Sequence, residues 1–450
     1  MKTNVRAAGV PATFTHEGLP TDRHTSPFKR LERSVMACLL WEDDFYESGE
    51  SIAKRIQSLI PQCDPEQVAS LAILARTQMR LRSVPLLLAA ALTQLRWKGI
   101  ADLLPEIIQR ADELTEFLAV WTKLEKRAGQ KQLNKLPKSV ARGLDRALRK
   151  FNEGQLARNA AEGKAIKLRD LIRLVHPKPE DEAQASLWKR ALEGTLVRPE
   201  MWQDRLSAGE DKLTVWTSLL REQRLGALDI LKNLRNMHEV GVDAKLIYPE
   251  LLRTCAKVDL PFRYIQAARA VPAWEGWIES AMLQAMANAP KLVGSTLLLI
   301  DVSGSMGSPL SGGHKSGSEP MARLDAACAL AILVREVCED VRVFTFSSGV
   351  VEVPGRRGMA LRDGIKTSQH HGGTDLGRAL TALARVQGAR RLIVITDEES
   401  QTRIGDPICP RSYMIDVATT QRGIGTGPWV RITGFSEAVL SFIQAYEREA

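Results

Sequence analysis

Apolar residues recur at helical spacing along most of this chain, and then the spacing changes. Ser51–Ile60, Pro65–Arg80, Val84–Trp97, Leu103–Ala119, Lys138–Phe151, Lys167–Val175, Ala183–Leu192, Leu213–Leu220, Leu225–His238 and Pro261–Ala270 each place apolar side chains three and four residues apart. Short polar or proline-containing breaks separate them. Many short amphipathic helices in succession predict an α-solenoid, in which neighbours cover each other's apolar faces. No strict repeat period is visible, so the repeats are degenerate. After Pro290 wholly apolar runs take over: Thr296–Ile300, Val341–Phe346, Leu392–Thr396 and Tyr413–Val417. Helical stretches Met321–Glu339, Asp375–Val386 and Glu437–Glu447 alternate with them. Apolar strands alternating with helices predict a doubly wound parallel sheet covered on both faces. The expected organisation is an arm over 1–26, a helical-repeat domain over 27–290 and an α/β domain over 291–450.

Composition narrows the class. With 450 residues, 44% of them hydrophobic and 26% charged, the chain is long enough for two or three folded domains and is not disordered. Six cysteines with no Cys-x-x-Cys pair fit a reducing compartment and exclude a zinc ribbon or a disulfide scaffold. No apolar leader follows Met1-Lys2-Thr3, and Val84–Leu95 is too short to span a bilayer, so a soluble cytoplasmic protein is expected.

The net charge of +9 is concentrated. From Leu292 onward 17 basic residues balance 17 acidic ones, whereas Lys123–Asp170 holds 14 basic against 5 acidic, an excess equal to that of the whole chain. Such a segment attracts polyanions by Coulomb attraction and counterion release. At 100° per residue, Arg142, Arg146 and Arg149 fall within about 60° of one another on a helix, opposite Leu144, Ala147, Leu148 and Phe151. That helix would bury one face and present an arginine row, with Lys150 at its end, outward. Aromatic anchors are scarce there, which disfavours a membrane.

The most specific chemistry lies at the start of the α/β part. Asp301-Val-Ser-Gly-Ser305 follows the first strand directly, Gly372-Gly-Thr-Asp375 precedes a helix, and Asp397 ends the third apolar run. These are positions at the carboxyl ends of strands, where open α/β sheets place ligands. Ser303, Ser305 and Thr374 offer neutral hydroxyls, and Asp301 and Asp397 offer carboxylates: a donor set for a hard divalent cation, magnesium foremost, with manganese and calcium as alternatives. Two carboxylates match the charge of the ion and leave a position for an outside oxygen ligand. Gly307-x-x-x-x-Gly312 lacks the Lys-Ser of a P-loop. Ser303 has no evident His–Asp partner, and no acid–base pair for hydrolysis stands out, so no enzymatic activity is expected.

The arrangement over Lys291–Ala450 resembles the metal-ion-dependent adhesion site of von Willebrand factor A domains. In the helical part, Ala141-Arg-Gly-Leu-Asp-Arg-Ala-Leu-Arg-Lys150, Leu168-Arg-Asp-Leu-Ile-Arg-Leu-Val-His-Pro-Lys-Pro179 and Leu187-Trp-Lys189 resemble the TROVE module of the Ro ribonucleoproteins and their bacterial relatives. The resemblance implies HEAT-like helical repeats closed into a ring by the A domain. It also implies binding of small noncoding, Y-type RNA and of the 3′ ends of misfolded or damaged RNA. The family acts as a scaffold in RNA quality control, with an exoribonuclease or another protein as partner, and no DNA is expected. His176 and Lys178 match the motif implicated in RNA binding, and Arg169 and Arg173 flank it on the helix. Gly154–Lys167 is shorter than the corresponding segment of many relatives, and Arg158, Lys164 and Lys167 are the candidates to supply its charge. The rival reading is a metal-dependent protein-interaction module whose ion captures a partner's carboxylate.

Overall fold

The computed structural model describes residues 26–36, 49–77, 79, 81–127, 136–159, 166–198, 202–257, 261–309, 321–386, 388–397, 404–417, 429–433 and 439–448. They divide into two compact units. Ser26–Trp41, Glu47–Ala208 and Ser441–Ala450 belong to one, and Gly209–Leu440 forms the body of the other. The change from helix to strand at residue 291 therefore falls inside the second unit, and five helices of the helical stretch belong with the sheet.

The first unit contains α1 (Pro27–Met36), α2 (Gly49–Leu59), α3 (Pro65–Thr77), α4 (Ser83–Gln94), α5 (Ile100–Ile107), α6 (Ala111–Arg127), α7 (Lys138–Leu148), α8 (Glu153–Asn159), α9 (Leu168–Val175), α10 (Glu182–Glu193) and α11 (Trp202–Ser207). The single helix expected over Leu103–Ala119 is two. The carboxylate of Glu113, fully buried, accepts the backbone N–H groups of Gln109 (2.8 Å) and Arg110 (3.0 Å) and so starts α6 afresh. Arg76 pairs with its other oxygen at 2.7 Å, which compensates the buried charge. Helix α7 buries Val140, Leu144, Ala147 and Leu148, the face its periodicity dictates. Gly143 allows its close approach to α5, since a Cβ there would lie 2.9 Å from Leu104 Cδ1 and 3.0 Å from the Ile100 carbonyl oxygen.

The second unit opens with α12 (Lys212–Arg221), α13 (Ala227–Glu239), α14 (Ala244–Thr254), α15 (Pro261–Ala270) and α16 (Glu275–Met286). The α/β part follows as β1 (Leu292–Asp301), α17 (Arg323–Val337), β2 (Cys338–Phe346), β3 (Val350–Val353), α18 (Gly358–Lys366), α19 (Leu376–Leu383), β4 (Arg391–Thr396), β5 (Arg411–Asp416) and β6 (Val430–Thr433). A last helix, α20, spans Val439–Arg448. The sheet order is β3-β2-β1-β4-β5-β6, with every pairing parallel except the β2–β3 edge. The four expected strands are the four inner ones, and β4 is buried along its whole length, as a strand covered on both faces must be. Order reverses between β1 and β4, so the carboxyl end of β1 lies at the topological switch point. Helices α15 and α16 join the sheet's helices through ion pairs: Arg269 to Asp325 at 2.6 Å and Glu275 to Arg362 at 3.0 Å.

No helix among the described residues is long and apolar enough to cross a membrane.

Candidate functional site

The parallel register brings Asp301 level with the end of β4. Ile300 pairs with Ile395, and one residue further Thr396 Oγ1 donates to Asp301 Oδ2 at 2.8 Å. The other oxygen of Asp301 accepts the Ser303 backbone N–H at 2.9 Å, which turns the chain out of the strand. Ser303 and Ser305 then face each other, with hydroxyl oxygens 3.1 Å apart. The loop before α19 is drawn against this turn, because Gly304 N–H donates to the Gly372 carbonyl at 3.2 Å. Ser347 organises that loop: its buried hydroxyl donates to the Gly373 carbonyl and accepts Gly372 N–H, both at 2.9 Å. Thr374, the next residue, is buried and precedes Asp375, whose side chain caps α19 at Arg378 N–H. A Cβ at Gly372 would stand 3.0 Å from Ser348 Oγ, so a side chain there would require that hydroxyl to shift.

Asp301, Ser303, Thr374 and Asp397 are thus buried at one end of the sheet, with Ser305 half-buried beside them. Burial pushes the Asp301 carboxyl up to about 7; the hydrogen bonds from Ser303 and Thr396 work against this and the charge of Asp397 adds to it. Two buried carboxylates, next to a pair of hydroxyls 3.1 Å apart, form a donor set that fits a hard divalent ion. No group of three or more His, Cys, Asp or Glu side chains arranged for a metal occurs among the described residues. Sequence reasoning missed Arg323. Its guanidinium pairs with Asp397 Oδ2 at 2.9 Å, and no spacing in the sequence connects the two.

The basic candidates separate into partnered and open groups. Arg149 is mostly buried; it bonds Asp145 on its own helix, Glu180 (2.6 Å), Gln184 (2.9 Å) and the Lys178 carbonyl (2.7 Å), tying α7 to the segment before α10. The carboxylates of Asp145 and Glu180 and its hydrogen bonds hold the guanidinium above its ordinary pKa. Lys150 caps the end of α5 through the Pro105 (2.6 Å) and Ile108 (2.8 Å) carbonyls, and burial lowers its pKa. Arg146, exposed, pairs with Asp102. The arginine row expected to stand free is therefore neutralised in part by acids from other segments. Only Arg142 of the row is exposed without a hydrogen bond or ion pair to a described residue.

Helix α9 carries the second cluster. Arg169 and Arg173 are exposed one turn apart, with no such partner among the described residues. Lys167 precedes the helix, its backbone N–H held by Asp170 Oδ2 at 2.9 Å. His176 ends it, exposed and left-handed at φ 51°, ψ 55°, with its N–H on the Ile172 carbonyl at 2.9 Å. Glycine or asparagine ordinarily fills that cap position. Lys178 is exposed, and Arg158 lines a cleft of about 260 Å³ with Arg110 and Phe151. Lys164 lies outside the described residues. Helices α7 and α9 pack together, so Arg142, Arg169, Arg173 and His176 belong to adjacent elements of one unit.

Residues 186–257 match the family model of the TROVE domain. The crystal structure of the Deinococcus radiodurans RO (RSR) protein superposes with a TM-score of 0.66 at 19% identity, over 94% of this chain and 100% of that one. The chain therefore has a TROVE-like segment over 186–257 and a fold similar to that of the Deinococcus protein. The TROVE match takes in Leu187-Trp-Lys189 and continues through α10–α14; Ala141–Lys150 and Leu168–Pro179 lie upstream of it.

Proposed function

We propose that this protein is an RNA-binding scaffold of the Ro type, without enzymatic activity of its own, that holds small noncoding RNA on a basic surface formed by α7 and α9. The observation that carries this reading is the set of exposed cations, Arg142, Arg169, Arg173 and Lys178, with the exposed imidazole of His176, on neighbouring elements of the first unit. Charge that stabilised the fold would be partnered, as Arg149 and Lys150 are. Charge left in water on adjacent helices is available to phosphates. Phosphate contacts from lysine and arginine position RNA without reading its bases. The strained conformation of His176 points the same way, because a cap position that glycine would fill at less cost holds an exposed imidazole instead. Quality control of misfolded RNA, with Y-like RNA and 3′ ends as ligands and a nuclease as partner, is the role this reading assigns.

At the sheet, Asp301 and Asp397 would hold a magnesium ion together with the hydroxyls of Ser303, Ser305 and Thr374. The ion would supply a Lewis-acidic centre for an outside oxygen ligand, such as a carboxylate of a partner protein.

One experiment tests the RNA reading. Arg142, Arg169 and Arg173 changed together to Ala should weaken binding of a structured RNA and lower the slope of log K against log salt by roughly 2 to 3. An unchanged slope would remove this face from the interface. The metal arm is separate: Asp301→Ala should reduce manganese binding by roughly 100-fold, on the order expected for losing one charged ligand, while RNA affinity holds constant.

A further inference from the structure

Helix α17 begins with an arginine. A cation in the first turn stands against the helix dipole, which favours negative charge there. Asp325 in the same turn is placed as the dipole favours, accepting the Ala322 N–H at 2.9 Å. Arg323 is not, so something else must compensate it, and that partner is Asp397. The guanidinium lies 2.9 Å from Asp397 Oδ2, with the Arg323 side chain only 13% exposed and that of Asp397 not at all. The placement is held from both sides. Arg323 N–H donates to the Ser308 carbonyl at 3.0 Å, and Pro309 bridges Ala322, so the start of α17 is fastened three residues beyond Ser305.

We propose that Arg323 is a built-in competitor for the metal site: its guanidinium neutralises Asp397, and a divalent ion must displace or share that charge to bind. The inference rests on the metal reading of Asp301, Ser303, Ser305, Thr374 and Asp397. Without Arg323 the two carboxylates would offer two negative charges to the ion. With it, the net charge facing the ion is one. In a buried, poorly screened site a positive group in contact with a ligand carboxylate repels an arriving cation, and the loss is expected to be at least roughly ten-fold in affinity. The site is thereby tuned to release its ion readily.

The test is manganese binding to the full chain, read by electron paramagnetic resonance, for the unmodified protein, Arg323→Gln and Arg323→Lys. Competition by charge predicts about ten-fold tighter binding for Arg323→Gln and near-unchanged binding for Arg323→Lys. Arg323→Met, apolar and of similar length, makes the same prediction as the glutamine variant and replaces it if glutamine prevents folding. Equal or weaker binding in the neutral variants would overturn the proposal and leave the metal site standing, with Arg323 then an orienting residue. If neither the unmodified protein nor the neutral variants show saturable binding, the metal reading itself fails and this inference with it.

Discussion

The two units handle polar groups in opposite ways. In the helical unit, the buried Arg76–Glu113 pair aside, most ion pairs are at least partly exposed and many meet across elements: Arg149 with Glu180, Arg146 with Asp102, Arg190 with Glu153. In the sheet unit the informative polar groups are buried at the ends of strands, where Asp301, Ser303, Ser347, Thr374, Thr396 and Asp397 are nearly free of solvent. A surface pair gains little, because water screens it and long side chains lose entropy to form it. A buried polar group must be satisfied or it destabilises the fold. The contrast teaches where to look for function in each. In the helical unit it is the cation without a partner. In the sheet unit it is the carboxylate whose partners do not fully offset its burial.

The largest effect on stability should come from the sheet. Ser347→Ala would strip both hydrogen bonds from the loop that carries Thr374, at a cost of about 2–3 kcal/mol by denaturant unfolding. A change below about 0.5 kcal/mol would mean that the loop is held by other contacts. Arg149→Ala comes next. It removes bonds to Asp145, Glu180, Gln184 and the Lys178 carbonyl and should cost about 1–2 kcal/mol, while leaving the salt slope of RNA binding nearly unchanged. A large fall in slope without loss of stability would place Arg149 among the RNA contacts and blur the division drawn between partnered and open cations. The smallest effect, of opposite sign, is expected at His176. Glycine adopts φ 51° without strain, so His176→Gly should raise stability by up to about 1 kcal/mol while weakening RNA binding. Lower stability would show that the imidazole serves the fold.

Much of this was legible in the chain. The four inner strands announced themselves as apolar runs, and two of them ended in the aspartates of the site, because a strand covered on both faces is predominantly apolar up to its end. The outer strands β3 and β6 were not seen. Each is four residues long, and β3, an edge strand, has a largely exposed burial pattern, so neither has a sustained apolar run. Helix α14 escaped because Pro249 interrupts its pattern: an interior proline has no N–H for the carbonyl four residues back, yet the helix runs through it. The break between α5 and α6 depends on Glu113, a residue that reads as a surface acid until its burial is known.

The chain by itself determined where helices give way to strands, which residues could ligate a hard cation, and that an excess of nine positive charges sits in one stretch of 48 residues. These follow from local composition and spacing, which folding does not alter. Only the tertiary structure decided which of those charges are spent inside the molecule. Asp102, Glu180 and Asp397 meet their arginines across 44, 31 and 74 residues. An ion pair depends on distance in space, and no periodicity along the chain encodes a partner brought in by the packing of another element.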